Sequence, residues 1–127
     1  MARILIIDDD EDFRLQVRAV LEEEGHEVEA AHDGGHGLTL QRRAPADLVI
    51  TDIIMPNKEG IETIRDFQQE YPLTRIIAVT GGGRLQNSSH LFAAKELGAS
   101  VIMLKPIDMD VFVRTVQETL AKGRSGL

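Results

Sequence analysis

Four apolar segments of this chain each lead into a side chain that can do chemistry. The segments 3–7, 47–51, 75–79 and 101–104 run into Asp8-Asp9, Asp52, Thr80 and Lys105, respectively. Carboxylates bind hard divalent cations, and in some enzymes they are covalent acceptors of phosphoryl groups. A threonine hydroxyl and a lysine ammonium can hold phosphate oxygens. These residue types favour phosphoryl chemistry at a metal ion, provided that the fold brings them together.

The apolar segments have the pattern of strands that are covered on both faces. Their residues are apolar at consecutive positions rather than at alternate ones, and Pro56 prevents the third segment from continuing. Helical spacing of apolar residues predicts a helix after each strand. The expected strands span 3–7, 26–31, 47–52, 75–79 and 101–104, and the expected helices span 13–24, 35–43, 60–71, 88–97 and 108–121. Right-handed crossovers then give an α/β fold, with helices on both faces of an open parallel sheet.

In such a sheet the C-terminal ends of the strands share one edge, where ligands bind. We therefore expect Asp8, Asp9, Asp52, Thr80 and Lys105 at one site. The carboxylates would repel one another by about 4 kcal/mol per pair at the effective dielectric of a protein surface. A divalent cation removes that cost, and Mg²⁺, which keeps positions open for water and phosphate, fits better than Zn²⁺. We expect Mg²⁺ at this site, a phosphoryl group on Asp52, and Thr80 and Lys105 on its oxygens.

Composition limits the other possibilities. The chain has 127 residues, the usual size of one domain, and we expect a domain over residues 1–121 and a tail or linker stub over 122–127. The formal net charge of -7 argues against direct nucleic-acid binding, which depends on clustered Lys and Arg. The chain has no cysteine, which excludes a thiol nucleophile. It shows no signal-peptide pattern and no apolar stretch of about 20 residues, so we expect a cytoplasmic protein without membrane contact.

In this order, the motifs resemble the receiver domains of two-component response regulators, the CheY-like superfamily. The resemblance extends from Arg3 to about Leu120 and rests on Asp8-Asp9, on Asp52 with Met55-Pro56 and Gly60, on Thr80, and on Lys105-Pro106. It implies a flavodoxin-like three-layer sandwich whose five parallel strands have the order 2-1-3-4-5. It also implies a cis Lys105-Pro106 bond.

The resemblance implies a function for the acids. Asp52 would accept a phosphoryl group from a histidine kinase or a histidine phosphotransfer protein, in a reaction that needs Mg²⁺. Asp9 and Asp52 would bind the metal directly, together with the backbone carbonyl of Ile54, and Asp8 would often act through water. Such a protein is a signalling phosphoacceptor that assists its own phosphorylation and dephosphorylation, and it is not classed as an enzyme.

The resemblance also implies a switch. Thr80 and Lys105 would close on the phosphate and rearrange the face formed by the helix at 88–97, the last strand and the last helix. A downstream effector or a fused output domain would read that face. Two departures from the family pattern stand out: Ile102 occupies a position where Tyr or Phe is frequent, and Gly81-Gly82-Gly83 follows Thr80 where a single small residue is usual.

Several other interpretations stay open on the sequence alone. Asp52 could be an ordinary turn cap, and Lys105 could be an ion-pair partner that only holds the acids together. The spacing Asp8-x-Asp10 is similar to that of haloacid-dehalogenase-type phosphatases, in which Asp8 would be the nucleophile. A binding module that is never phosphorylated is a third class, although the complete set of charged residues argues against it.

His32 and His36 are four residues apart, as zinc ligands on a helix would be. Zinc sites need three or four protein ligands, and only these two are visible, so we interpret them as surface histidines.

Overall fold

The computed structural model describes residues 1–53, 60–81, 95–96 and 98–122. Its strands are β1 (Arg3–Ile7), β2 (Glu27–Ala31), β3 (Leu48–Asp52), β4 (Arg75–Gly81) and β5 (Val101–Lys105), and its described helices are α1 (Glu11–Glu23), α2 (Gly34–Arg43), α3 (Gly60–Glu70) and α4 (Met109–Lys122). Of the helix expected over 88–97, only residues 95 and 96 fall in the described ranges. Within those ranges no helix is both long and apolar enough to cross a lipid bilayer.

The strands form one sheet in the order β2-β1-β3-β4-β5, and every neighbouring pair is parallel. This confirms the predicted α/β fold and its strand order. The order changes direction beside β1, which lies between β2 and β3. In open α/β sheets, ligands bind beyond the C-terminal ends of the strands at such a reversal.

Apolar side chains cover both faces of the sheet. Ile4 and Ile6 of β1 belong to one cluster, and Leu5 and Ile7 belong to the other, because successive residues of a strand point to opposite faces. Helices α1 and α4 contribute to the first cluster, and α2 and α3 contribute to the second. The sheet is therefore the middle layer of three.

Helix α2 forms although its sequence is a poor helix former. The Asp33 carboxylate caps it by accepting a hydrogen bond of 2.8 Å from the backbone nitrogen of His36. Gly37 is buried in this helix, and a β-carbon there would collide with the Ile7 side chain. The glycine that weakens the helix intrinsically thus allows it to lie close to β1.

Candidate functional site

Two buried carboxylates lie side by side at the C-terminal edge of the sheet. Strands β1 and β3 pair with Ile7 opposite Thr51, so the residues that follow, Asp8 and Asp52, are neighbours. Asp8 is fully buried and Asp52 is 6% exposed. Asp9 is exposed at the surface, and carboxylate oxygens of Asp8, Asp9 and Asp52 lie within 4.8 Å of one another. The structure therefore brings together the three acids that the sequence analysis placed at this edge.

Lys105 reaches the same acids from β5. Its Nζ donates a hydrogen bond of 2.8 Å to Asp8 Oδ2 and another of 3.2 Å to Asp52 Oδ2. The same Nζ lies 4.2 Å from the centroid of the Phe13 ring, a distance typical of a cation–π contact. The ammonium group is therefore held between two carboxylates and an aromatic face.

Burial and charge shape the protonation of this cluster. Burial raises the pKa of Asp8 to about 6, although hydrogen bonds from Lys105 and from the Asp10 backbone act in the opposite direction. Burial also lowers the pKa of Lys105, but the hydrogen bond and charge of Asp8, together with Asp52, outweigh it, so this pKa is raised on balance. One ammonium is thus shared by more carboxylates than it can neutralise. The donor set consists of carboxylate oxygens, which suits a hard cation such as Mg²⁺.

Thr80 adds a hydroxyl group to this edge. Asp52 pairs with Val79 of β4, so Thr80 is one residue further along, and it lies opposite Leu104 on β5. Thr80 is 1% exposed, and its Oγ1 has no hydrogen-bond partner within the part of the chain that the structure describes. An unsatisfied buried hydroxyl costs about 1–3 kcal/mol, so a polar ligand that bonds it would be stabilised.

The start of α1 supports Asp8 in a way that the sequence analysis missed. Asp10 caps the helix by accepting from the Phe13 backbone nitrogen at 3.3 Å, and the Asp10 backbone nitrogen donates to Asp8 Oδ1 at 2.9 Å. Arg14 Nη1 donates to the backbone carbonyl of Asp8 at 2.7 Å. The spacing Asp10-x-x-Phe13 is an ordinary N-cap signal that could have located this turn. Asp10, the second acid of the hydrolase-like spacing, is therefore engaged as a helix cap.

Gly60 fixes the other side of Asp52. It begins α3, and its backbone nitrogen donates to the Ile53 carbonyl at 2.7 Å. A β-carbon at Gly60 would collide with the backbone of Asp52 and Ile53. The glycine of the family motif thus lets α3 begin directly against the end of β3.

The remaining expectations fall partly outside the described residues. Ile54, whose carbonyl was expected to bind the metal, lies there, as do Gly82 and Gly83. Ile102 is half-buried and packs against the apolar cluster under α2 and α3. The Lys105-Pro106 bond is cis, as the resemblance implies.

Comparison with known proteins gives a consistent result. The model of a family described as "Response regulator receiver domain" matches residues 4–117. Protein PilH of Pseudomonas aeruginosa is 31% identical over 121 residues, which are 95% of this chain and 99% of that protein. The transcriptional regulatory protein CpxR of Escherichia coli K12 is 32% identical over 122 residues, which are 96% of this chain and 50% of CpxR. The chain is thus similar to nearly the whole of one relative and to half of the other.

Solved structures share the fold. A CheY-like response regulator receiver domain protein from Methanospirillum hungatei superposes with a TM-score of 0.90 at 30% identity, covering 96% of this chain and 95% of that one. The chemotaxis protein CheY4 of Vibrio cholerae, crystallised at low pH, superposes with a TM-score of 0.86 at 29% identity, covering 94% and 98%.

Proposed function

Because this chain belongs to the response regulator receiver domain family, we propose that it is a phosphoacceptor switch of a two-component phosphorelay. Asp52 accepts the phosphoryl group, and residues 1–121 form the domain that carries it. The observation that carries the proposal is the arrangement around Asp52. A lysine bridges it to a second buried acid, and the buried Thr80 hydroxyl has no acceptor in the described ranges.

This arrangement suits transfer to a carboxylate. An oxygen of Asp52 attacks phosphorus, an O–P bond forms, and the N–P bond of a phosphohistidine donor breaks. Lys105 holds the attacking carboxylate in place, because its ammonium lies 3.2 Å from Asp52 Oδ2. After transfer, Lys105 and Thr80 can each donate a hydrogen bond to a phosphoryl oxygen. For the Thr80 hydroxyl, this would supply the hydrogen-bond partner that it lacks among the described residues.

Mg²⁺ fits the donor set of this site. Asp8, Asp9 and Asp52 would hold it, and the Ile54 carbonyl is proposed as a further ligand. When bound, Mg²⁺ neutralises negative charge on the phosphoryl oxygens. Asp8 cannot leave the site, because it is fully buried and hydrogen-bonded on two sides. The protein thus keeps a site in which one ammonium group offsets only part of the carboxylate repulsion, and a divalent cation would offset the rest.

The donor would approach beside α1. A cavity of about 490 Å³ lies next to Lys105 and is lined by Asp10, Asp12, Phe13, Gln16, Lys105, Pro106, Ile107 and Met109. Leu15 of α1 has 57% of its surface exposed. Apolar side chains beside a charged site suit a protein partner that carries a phosphohistidine, such as a histidine kinase or a histidine phosphotransfer protein. Phosphorylation would then shift Thr80, Lys105 and the neighbouring face toward a form that an effector or a fused output domain reads.

The test is to locate the phosphoryl group. Purified protein is incubated with acetyl phosphate and Mg²⁺, and intact mass and peptide mapping identify the labelled residue. We expect one label on Asp52, none in Asp52→Asn, and normal labelling in Asp10→Asn, a matched control because Asp10 caps a helix and does not contact Lys105 in the described structure. A label that maps to Asp8 would favour the hydrolase-like interpretation instead. Absence of any label in the folded wild-type protein with Mg²⁺ would reject the phosphoacceptor function.

A further inference from the structure

Two histidines meet at the junction of β2 and α2, away from Lys105 and Thr80. His32 follows the end of β2 at Ala31, and His36 lies in the first turn of α2. Their Nδ1 atoms are 3.0 Å apart, and the ring centroids are 4.7 Å apart with the rings tilted by 42°. The sequence analysis identified the spacing and interpreted it as two surface residues. The direct contact between the two nitrogen atoms is a finding of the structure.

The two rings share one hydrogen bond. Their Nδ1 atoms are 3.0 Å apart, so one of the two nitrogens carries a hydrogen and the other accepts it. His36 Nδ1 also accepts a long contact of 3.4 Å from the His32 backbone nitrogen, and His32 Nε2 lies 3.4 Å from Asp33 Oδ2. A metal cation can take the place of the hydrogen between two imidazole nitrogens, because a neutral imidazole nitrogen is a common metal ligand.

We propose that His32 and His36 bind one divalent transition-metal cation of the nickel or copper class through their Nδ1 atoms, with water completing the coordination. Zinc, whose usual sites have three or four protein ligands, would bind the same pair more weakly. A metal–nitrogen bond of about 2.0–2.1 Å places two ligand nitrogens about 2.9 Å apart at a right angle and about 3.3 Å apart at the tetrahedral angle. The observed separation of 3.0 Å lies between these values. The cation would replace the long contact from the His32 backbone.

Asp33 serves this site from outside the coordination shell. Carboxylates commonly accept the other ring N–H of a metal-bound histidine and thereby fix its orientation. Asp33 Oδ2 lies near His32 Nε2, while Asp33 Oδ1 accepts from the His36 backbone nitrogen at 2.8 Å. One carboxylate therefore positions both histidines. The His32 side chain is 62% exposed, so a cation reaches it from solvent.

This site differs in chemistry from the acid cluster. Imidazole nitrogens select zinc, copper and nickel, whereas the carboxylates of Asp8, Asp9 and Asp52 select magnesium. The two sites are nonetheless close in the fold, because the Asp8 backbone nitrogen donates to the Ala31 carbonyl at 3.1 Å and His32 is the next residue. Binding at the histidines does not depend on phosphorylation of Asp52, so the two proposals can fail separately.

The experiment measures Zn²⁺ and Cu²⁺ binding by calorimetry on tag-free protein in saturating Mg²⁺, which occupies the acid cluster. We expect one site with Cu²⁺ bound more tightly than Zn²⁺. His32→Gln and His36→Gln should each abolish the site, and Asp33→Asn should weaken it roughly tenfold. His26→Gln is the matched control and should bind normally, because His26 Nδ1 already accepts from the Ala2 backbone nitrogen at 3.1 Å. Thermal melts of every variant verify folding.

Four results would overturn the proposal. Equal affinity in wild type and in both His32→Gln and His36→Gln would place the metal elsewhere, as would loss of binding in Asp52→Asn alone. Loss in only one of the two histidine variants would reduce the site to a single imidazole. Absence of binding in folded wild type would mean that a proton, rather than a metal, lies between the two nitrogens.

Discussion

Strands β3 and β5 each end in a residue of the proposed site, but their surroundings differ. All five residues of β3 are buried, and it pairs with β1 on one side and with β4 on the other. None of the five residues of β5 is fully buried, Leu104 is 49% exposed, and β5 is an edge strand of the sheet. Asp52 is thus fixed by two strand ladders and a core on both faces. Lys105 is fixed by one ladder and by its own contacts with Asp8, Asp52 and Phe13.

This difference indicates which half of the site can move. Segments with fewer buried apolar contacts and a single ladder open at lower free energy than central strands do. The carboxylates therefore form the rigid half of the site, and Lys105 forms the adjustable half. The proposed phosphoacceptor function would use both halves: the acids would hold the phosphoryl group in one place, and the Lys105 ammonium would follow the new charge.

The strongest challenge to the rigid half is Gly60→Ala. The added β-carbon meets the backbone of Asp52 and Ile53, neither of which can yield without disturbing β3. We expect a loss of about 3 kcal/mol in the free energy of unfolding, at the upper end for overpacking, measured by urea denaturation. Gly35→Ala is the matched control, because its β-carbon would meet only Asp33 Oδ1, at 3.6 Å. If the two variants lose the same stability, the end of β3 is not rigid.

A second test removes the charge of Asp8 and measures the free energy of unfolding in the absence of metal. The pKa of Asp8 is raised by burial from 3.8 to about 6, so the folded protein holds this proton more tightly than the unfolded chain does. Below pH 3.8 the Asp8 carboxyl group is protonated in both states and does not lower the free energy of unfolding. As the pH rises to about 6 it lowers that free energy progressively, and above pH 6 the loss stays constant. Asp8→Asn should therefore stabilise the protein in EDTA at pH 7.5 by at most about 3 kcal/mol.

The gain from Asp8→Asn should disappear near pH 4, and Mg²⁺ should narrow it by stabilising the wild type more than the variant. Urea denaturation at the two pH values, with and without Mg²⁺, measures both effects. A variant that is less stable than wild type in EDTA at pH 7.5 would show that the ion pair with Lys105 outweighs the burial cost.

A third test compares the same residue type on the two kinds of strand. Val49 on β3 is fully buried, whereas Val101 on β5 is half-buried. Val49→Ala should cost about 2 kcal/mol of unfolding free energy, and Val101→Ala about 1 kcal/mol or less. Equal losses would mean that β5 is packed as firmly as β3. They would contradict the inference that Lys105 can move more easily than the carboxylates.

The sequence predicts which residues meet at this site but not all of the contacts between them. Consecutive apolar residues predict parallel strands, and parallel strands place their C-terminal ends at one edge, which is enough to bring Asp8, Asp52, Thr80 and Lys105 together. The same pattern does not show that Lys105 bonds Asp8, 97 residues away along the chain. That contact depends on side-chain reach across the ends of β4 and β3 and on the twist of the sheet, neither of which is encoded in local periodicity.

Phe13 is the clearest example of a residue whose role at the site the local sequence pattern does not predict. Its helical spacing predicts a core position, and it is 7% exposed in the cluster under α1 and α4. The structure adds that its ring lies against Lys105 Nζ, a contact with a residue from the other end of the chain. Apolar periodicity cannot distinguish a core aromatic ring from one that also holds a cation.

The smallest expected effect tests what holds the adjustable half. Phe13→Leu keeps an apolar side chain of similar reach but removes the aromatic face on which Lys105 Nζ rests, 4.2 Å from the ring centroid. A cation–π contact at a partly exposed site contributes about 0.5–1 kcal/mol, so the rate of Asp52 phosphorylation by acetyl phosphate should fall by roughly twofold to fivefold. Phe112→Leu is the control, because Phe112 is fully buried in the same cluster and makes no described contact with Lys105. It should lower stability at least as much and leave the rate unchanged, whereas Phe13→Tyr should restore the rate because the ring is retained. If Phe13→Leu and Phe112→Leu slow phosphorylation equally, the effect comes from packing alone, and Lys105 is positioned by the two carboxylates without the ring.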